Sequence, residues 1–503
     1  MLSGQAAKKG HTVDETQSVR LVDTGRMLLI GVVLITVAAA LGLFLGNLVT
    51  SPDWHDAVRM VLLGALAVVM LMSPLNGLLL WIATVPYAQS SFTTMWEILN
   101  IRLPPGIPSL TLARLGVAFL SVIWLAHLAA GRKRMRRLGM IEIAMVAFCV
   151  MSIPSVAAGL QGINRSGQIL LDRFITPFLV FALAKNLYEE ENGLDKFMGA
   201  LAVIGAYLSF MTFYENLTGQ TLFTNIKTVY YSRSLPKIVS LLGNPAFMGT
   251  VLAMIAPFAL YGLVRGRSAY ARALWGGLFL ATSVANFACY NRGAWVALIV
   301  GLLVLVLFEP KYRRILLPVL LIAALAAFAY WQVLSQSALA TERVLNVSSL
   351  RFRLTMLEVS REIIQDNPVF GVGVDNFADY YMEYGGSWPT LAYDTPTPHN
   401  SFVLLLTTMG LAVLTPYLLI FASIFLRMWG TARRARVDAS VDRALLVSGC
   451  GAVAVYVVSA AAVDLIIHPF TSMILFLIAG TLHGYMSCLE AGETQVKALE
   501  GSS

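Results

Sequence analysis

The side chain best suited to proton transfer is the histidine in Pro398-His399-Asn400-Ser401. Imidazole is neutral near physiological pH and accepts a proton, the proline sets the chain's entry, and Asn400 or Ser401 is placed to orient the ring. The other five histidines sit in less useful places: His11 in a polar tail, His55 in a short loop, His127 and His483 within apolar runs, His468 beside Pro469. No Ser-His-Asp order is visible. The second chemical feature is arginine: Arg292 in Asn291-Arg292-Gly293-Ala294-Trp295, Arg233 upstream of Leu242-Gly243-Asn244-Pro245, and Arg351 and Arg353 in a charged periodic stretch. A guanidinium binds two phosphate oxygens at once, which suits a phosphorylated ligand. The ordinary alternative is a cation that snorkels to a membrane interface. Walker-type loops, HExxH and outer-face carboxylate clusters are missing, so no metal or cofactor is expected and arginines must neutralise any phosphate.

The elements that position these residues follow from composition. Of 503 residues, 57% are hydrophobic and only 13% charged, with a mean hydropathy of +0.72, which excludes a soluble globule. About fourteen apolar runs, each near the length that crosses a hydrocarbon core, predict an all-α polytopic bundle of about 12–14 spans. The net charge of +8 is first a matter of orientation. With the N-terminus inside, the basic runs 132–137, 265–272, 311–314 and 427–443 all fall on the cytoplasmic side, as the positive-inside rule requires, and nucleic acid is not an expected partner. The resulting divisions are a cytoplasmic tail 1–26, a first transmembrane part 27–334, a large outer loop 335–399, a last transmembrane part 400–488 and a cytoplasmic tail 489–503. The four cysteines lie in apolar runs without metal-like spacing.

Within the outer loop, Leu350, Leu354, Leu357 and Ile364 recur at helical spacing among charges, predicting an amphipathic helix over 349–364 that lies along the membrane and stops at Asp366-Asn367-Pro368. Aromatic residues from Phe377 to Tyr393 pack at headgroup level or stack on sugar rings. Asp172-Arg173 reads as a self-paired charge, and Asp464, inside the run 444–466, needs a partner in the bundle.

Arg353-Leu354-Thr355-Met356-Leu357, then Asn367 to Phe377 with Gly371-Val372-Gly373, then Pro398-His399-Asn400-Ser401-Phe402 resemble the signature half of the bacterial O-antigen ligase and polysaccharide polymerase superfamily. Gly243-Asn244-Pro245 and the Arg292 segment fit as well, with Asn291 where the family usually has Ser or Thr; the match covers roughly residues 215–426. The resemblance implies a metal-independent, inverting glycosyltransferase of the inner membrane with its active site on the periplasmic face. It would move an undecaprenyl-diphosphate-linked glycan to an acceptor hydroxyl on lipid A core, or on a second lipid-linked glycan in the polymerase alternative. By motif, His399 is the base, Arg233, Arg292 and Arg353 bind the donor diphosphate, and Asn400, Asn244 and Arg351 support them. A transporter of lipid-linked glycans is the alternative from another class, but no internal repeat between halves supports it; a structural scaffold for an export complex is a third. The topology has a direct test. Alkaline phosphatase fused after Gly385 is expected to be active, and the same reporter fused within residues 435–440 inactive; the reverse pattern would invert the orientation.

Overall fold

The computed structural model describes residues 54–89, 111–133, 135–189, 191–222, 229–232, 235–238, 240–329, 348–385, 396–434 and 441–500. The tail 1–26, the run 27–49, Arg233, residues 335–347 and the aromatic stretch 386–395 with Trp388 and Tyr393 lie outside these, as does the Arg351 side chain. Cα proximity divides the chain into Met1–Gly77 and Leu78–Ser503. In the first unit the described residues form α1 (Trp54–Met72) and the start of α2 (Pro74–Gln89); the second contains everything that follows.

The fold is an all-α polytopic bundle. In chain order its helices are α3 (Leu112–Ala129), α4 (Met140–Ala157), α5 (Ile163–Leu187), α6 (Gly193–Thr218), α7 (Pro245–Arg265), α8 (Ala269–Ala288), α9 (Arg292–Phe308) and α10 (Pro310–Ala329). After them come α11 (Ser348–Asp366), α12 (Phe377–Tyr384), α13 (Ser401–Arg434), α14 (Arg443–Ala462) and α15 (Pro469–Glu500). A hairpin of β1 (Val229–Ser232) and β2 (Leu235–Lys237) interrupts the stretch between α6 and α7. Eight described helices are long and apolar enough to cross a membrane. Since lipid is as apolar as leucine, packing rather than burial from water holds such helices together. An aromatic cluster does so here: Tyr417 of α13 meets Phe148 of α4 at 5.6 Å and Phe174 of α5 at 5.9 Å, while Phe178 and Phe421 reach Phe476 of α15.

Charges lock one end of the bundle. Buried Lys185 of α5 pairs with Glu142 of α4, Arg443 pairs with Glu309 at 3.2 Å, and the Tyr261 hydroxyl donates to Asp442 at 2.6 Å. We call this the basic end and the other the histidine end.

Two expectations change at the histidine end. The apolar run beginning at residue 400 is not one continuous span: Gly410 has φ 73° and ψ −177°, so α13 is two helical segments joined at a break. Residues 368–373 fill the break. Val372 and Gly373 donate to the Thr407 and Thr408 carbonyls at 3.0 and 2.9 Å, and Leu411 and Ala412 donate to Pro368 and Val369 at 3.0 Å. Thus four backbone groups beside the break find partners in this segment, as irregular backbone inside a bundle requires. The same segment is pinned to α4, where Ser155 Oγ donates to the Phe370 carbonyl at 2.8 Å. The second change concerns α11. It forms where its pattern predicts, but its buried line is Met356, Val359 and Ile363, whereas Leu354 and Leu357 are exposed. The helix carries two apolar lines, and only the one facing α13 is covered.

A side chain at Gly410 would meet the Val369 carbonyl and would also hold a left-handed φ. Gly410→Ala is expected to destabilise the chain by more than the roughly 1–2 kcal/mol of left-handed strain alone, read as a lowered melting temperature in detergent; an unchanged value would refute this account of the break.

Candidate functional site

His399 sits just before the first segment of α13, and three contacts hold it there. Its backbone N–H donates to Asp464 Oδ2 at 3.0 Å, its Nδ1 lies 3.7 Å from the same oxygen, and Thr397 Oγ1 is 3.5 Å from Nδ1. The residue adopts φ 51°, a left-handed conformation that a side-chain-bearing residue keeps only when its surroundings demand it. Phe352 of α11 flanks the ring at 5.6 Å. With Nδ1 turned to a carboxylate, Nε2 is the nitrogen available to a substrate.

Asp464 corrects the sequence reading. It does not lie within a span: α14 ends at Ala462, and Asp464 immediately precedes the short turn Leu465–Ile467 before α15. Its partner is His399. Ser401 fastens this turn rather than the ring, donating to the Val463 carbonyl at 2.8 Å and accepting from Leu465 N–H at 2.8 Å. Asn400 likewise turns to its own helix, its Oδ1 accepting from Phe402 and Val403 N–H at 3.0 and 3.2 Å as an N-cap. The ring is therefore oriented by Asp464 and Thr397, two residues that spacing alone did not connect.

Burial shapes the pair. The Asp464 side chain is 2% exposed and that of His399 42%. Burial disfavours charge, raising the Asp464 carboxyl above the ordinary range and lowering His399 below its ordinary value. For His399 the field of Asp464 opposes that fall and the nearby Arg353 guanidinium adds to it. The result is an imidazole kept neutral, half open to solvent and backed by a carboxylate. His468 contrasts with it: stacked on Phe247 at 4.5 Å, it is pushed down to about 3 by burial.

The arginines approach through backbone packing. Gly293 lies so near α14 that a Cβ there would stand 2.9 Å from the Ala462 Cβ and 3.8 Å from Val463 Cγ2. This seats Arg292, the first residue of α9, at the turn that carries Asp464. Asn291 caps that helix, its Oδ1 accepting from Ala294 N–H at 3.0 Å. Asn244 does the same for α7, accepting from Ala246 N–H at 2.8 Å, and Phe247 one turn later meets His468. Asn244, Asn291 and Asn400 thus start three helices at one end, where the positive poles of their dipoles gather with Arg292 and Arg353. Buried Glu215, at the end of α6, holds the loop before Asn244 by accepting from Ser240 N–H at 3.0 Å.

Residues 277–418 match the model of the O-antigen ligase family. Over this stretch the chain is similar to the O-antigen ligase family. It contains Arg292, Arg353 and His399, while Asn244 and Asp464 lie outside the match. A comparison with curated proteins found no match to the chain. The O-antigen ligase family associates the chain with glycosyl transfer in O-antigen or polysaccharide assembly, on lipid-linked glycan and polysaccharide substrates. Among the described residues no group of three or more His, Cys, Asp or Glu side chains is placed to hold a metal ion.

The opposed fields at His399 predict opposite pH effects. Activity that requires neutral imidazole falls as pH drops through the His399 pKa. Asp464→Asn removes the field that raises this pKa, so the acidic limb of kcat/KM moves to lower pH, with kcat down roughly 10²-fold as expected for an impaired general base. Arg353→Gln removes a field that lowers it, so the limb moves to higher pH. Shifts in the same direction would rule out the arrangement.

Proposed function

We propose that this protein is a multi-pass glycosyltransferase of the bacterial inner membrane, with the histidine end facing the periplasm. It transfers a glycan from undecaprenyl diphosphate to an acceptor hydroxyl of lipid A core, as an O-antigen ligase does. The observation that carries the reading is the half-exposed His399, held in a left-handed turn against buried Asp464, inside the matched O-antigen ligase segment.

A sugar hydroxyl is a poor nucleophile. In the proposed step its oxygen attacks the anomeric carbon while its proton passes to His399 Nε2, and the bond from that carbon to the diphosphate oxygen breaks. The configuration at carbon inverts, and the lipid diphosphate leaves with the bonding electrons. Asp464 stabilises the imidazolium formed, and the proton is later released to solvent. Arg292 and Arg353, with Arg233 from the loop before α7, neutralise the diphosphate; fixed cations and helix poles at a partly water-excluded surface need no reorganisation as the charge develops. Asn244 and Asn400 support them by capping the helices whose poles face the site, and Arg351 adds a second cation on α11. The exposed Leu354 and Leu357 of α11 suit contact with lipid beside the donor's chain. No metal is required in this step.

The purified chain, reconstituted with an undecaprenyl-diphosphate oligosaccharide and lipid A core, is expected to give one new glycolipid in the presence of a chelator. His399→Ala should slow its formation by about 10²–10⁴-fold. Full activity of His399→Ala would end the mechanism, and a product ladder without lipid A core would replace the ligase with a polymerase.

A further inference from the structure

Helix α5 contains a register fault. Over Leu171–Ile175 its backbone follows a π-helical path, the Thr176 N–H reaching the Leu171 carbonyl five residues back, and such insertions gather at functional sites. The fault has a visible consequence at Thr176. Three other buried threonines spend their hydroxyls on the carbonyl four residues back: Thr212 on Leu208 at 2.9 Å, Thr250 on Ala246 at 2.8 Å and Thr407 on Val403 at 2.9 Å. Thr176 is 1% exposed, yet its hydroxyl has no hydrogen-bond partner. A buried hydroxyl in that state is costly unless something else satisfies it. Thr481 is in the same state but does not line the cavity described next.

Thr176 lines a cavity of about 80 Å³ together with Asp172, Thr111, Val85, Ala113 and Pro469. That is several times the roughly 10–15 Å³ a single water needs. Asp172 does not pair with its neighbour Arg173, because consecutive helical residues point apart. Arg114 of α3 binds its two oxygens at 2.8 and 2.7 Å, while Arg173 holds Asp375 of the outer loop at 3.1 Å. The carboxylate is therefore already neutralised, yet each oxygen keeps a lone pair for a further donor. Thr111 accepts from Arg114 N–H at 3.3 Å and retains its own proton to donate. Two hydroxyls and a compensated carboxylate against Val85, Ala113 and Pro469 make a site for a neutral, hydroxyl-rich ring, with its C–H face on the apolar wall. An anion would be repelled there by the Asp172 carboxylate, which already occupies Arg114. The site adjoins the base: the π segment packs on the Leu465–Ile467 turn, and Pro469 follows Asp464 by five residues.

We propose that this cavity is a subsite for one sugar residue of a transfer substrate, whose hydroxyls bond to Thr176, Asp172 and Thr111. The proposal rests on the transferase reading, and the ring belongs either to the donor glycan or to the acceptor.

The test is the full chain in vesicles, with undecaprenyl-diphosphate oligosaccharide and lipid A core varied separately. Thr176→Val keeps the shape and removes the hydroxyl. It is expected to raise the KM of one substrate about tenfold with a much smaller change in kcat, and Thr176→Ser to restore it. The substrate whose KM moves identifies the source of the ring. The melting temperature of Thr176→Val should equal or exceed that of the parent, because an unsatisfied buried hydroxyl is gone. Unchanged KM for both substrates would overturn the subsite and leave the hydroxyl a packing defect. Should Thr176→Val fail to accumulate, Ala113→Leu fills the cavity from α3, and the same KM rise or its absence decides. Transfer with unchanged KM in these variants, together with its loss in His399→Ala, keeps the transferase reading while the subsite falls; no transfer by the parent chain sinks that reading instead.

Discussion

A buried carboxylate organises the histidine end of this bundle. Asp464 is almost wholly removed from solvent, so it must be met by donors, and the backbone N–H of His399 is one of them, at 3.0 Å. That bond ties the entry of α13 to the turn between α14 and α15, and Ser401 doubles it by bridging Val463 and Leu465. Once the turn is held, Gly293 sets α9 against Ala462 and Val463, and Phe247 sets α7 against His468. Arg292, Asn244 and His399 thereby share one surface although more than 150 positions separate the first and last of them. An apolar side chain at 464 would leave the histidine turn without the acceptor that justifies its left-handed backbone.

The second constraint is the break in α13. An uninterrupted helix would satisfy its own backbone and offer the outer loop no place to dock. Because Gly410 departs from helical geometry, Thr407 and Thr408 present free carbonyls and Leu411 and Ala412 free N–H groups, and the turn-rich stretch 368–373 takes all four. The loop is thus built into the bundle by main-chain hydrogen bonds, which depend on the local path and little on side-chain identity. It leads out of α11, so the docking also sets Phe352 and Arg353 beside His399. The Arg173 to Asp375 pair closes the same loop onto α5 from its other side.

The elements themselves were largely legible in the chain. The stop at Asp366-Asn367-Pro368 falls where α11 ends, and the run over 140–158 matches α4 to within a residue. Those features are local: hydrophobic length and periodicity report on a helix whatever its neighbours do. The candidate base and its arginines could be nominated too, since an ionisable side chain within or beside an apolar run is costly at membrane depth and so marks a candidate site. Pairing was another matter. Asp172-Arg173 looked like a pair because the residues are adjacent, yet on a helix they diverge and each found a partner on a distant element. Asn400 and Ser401 stood beside the histidine and turned out to serve the helix start and the Asp464 turn.

By itself the sequence determined that this protein is a bundle of apolar helices with a long charged loop, and which residue types could accept a proton or hold a phosphate. Those properties are sums over short windows of chain. The tertiary structure alone decided that Asp464 backs His399, that a helix opens at Gly410 to admit residues 368–373, and that a π turn leaves Thr176 without its usual acceptor. The first two are hydrogen bonds between segments far apart in the chain, which form only once the helices are packed.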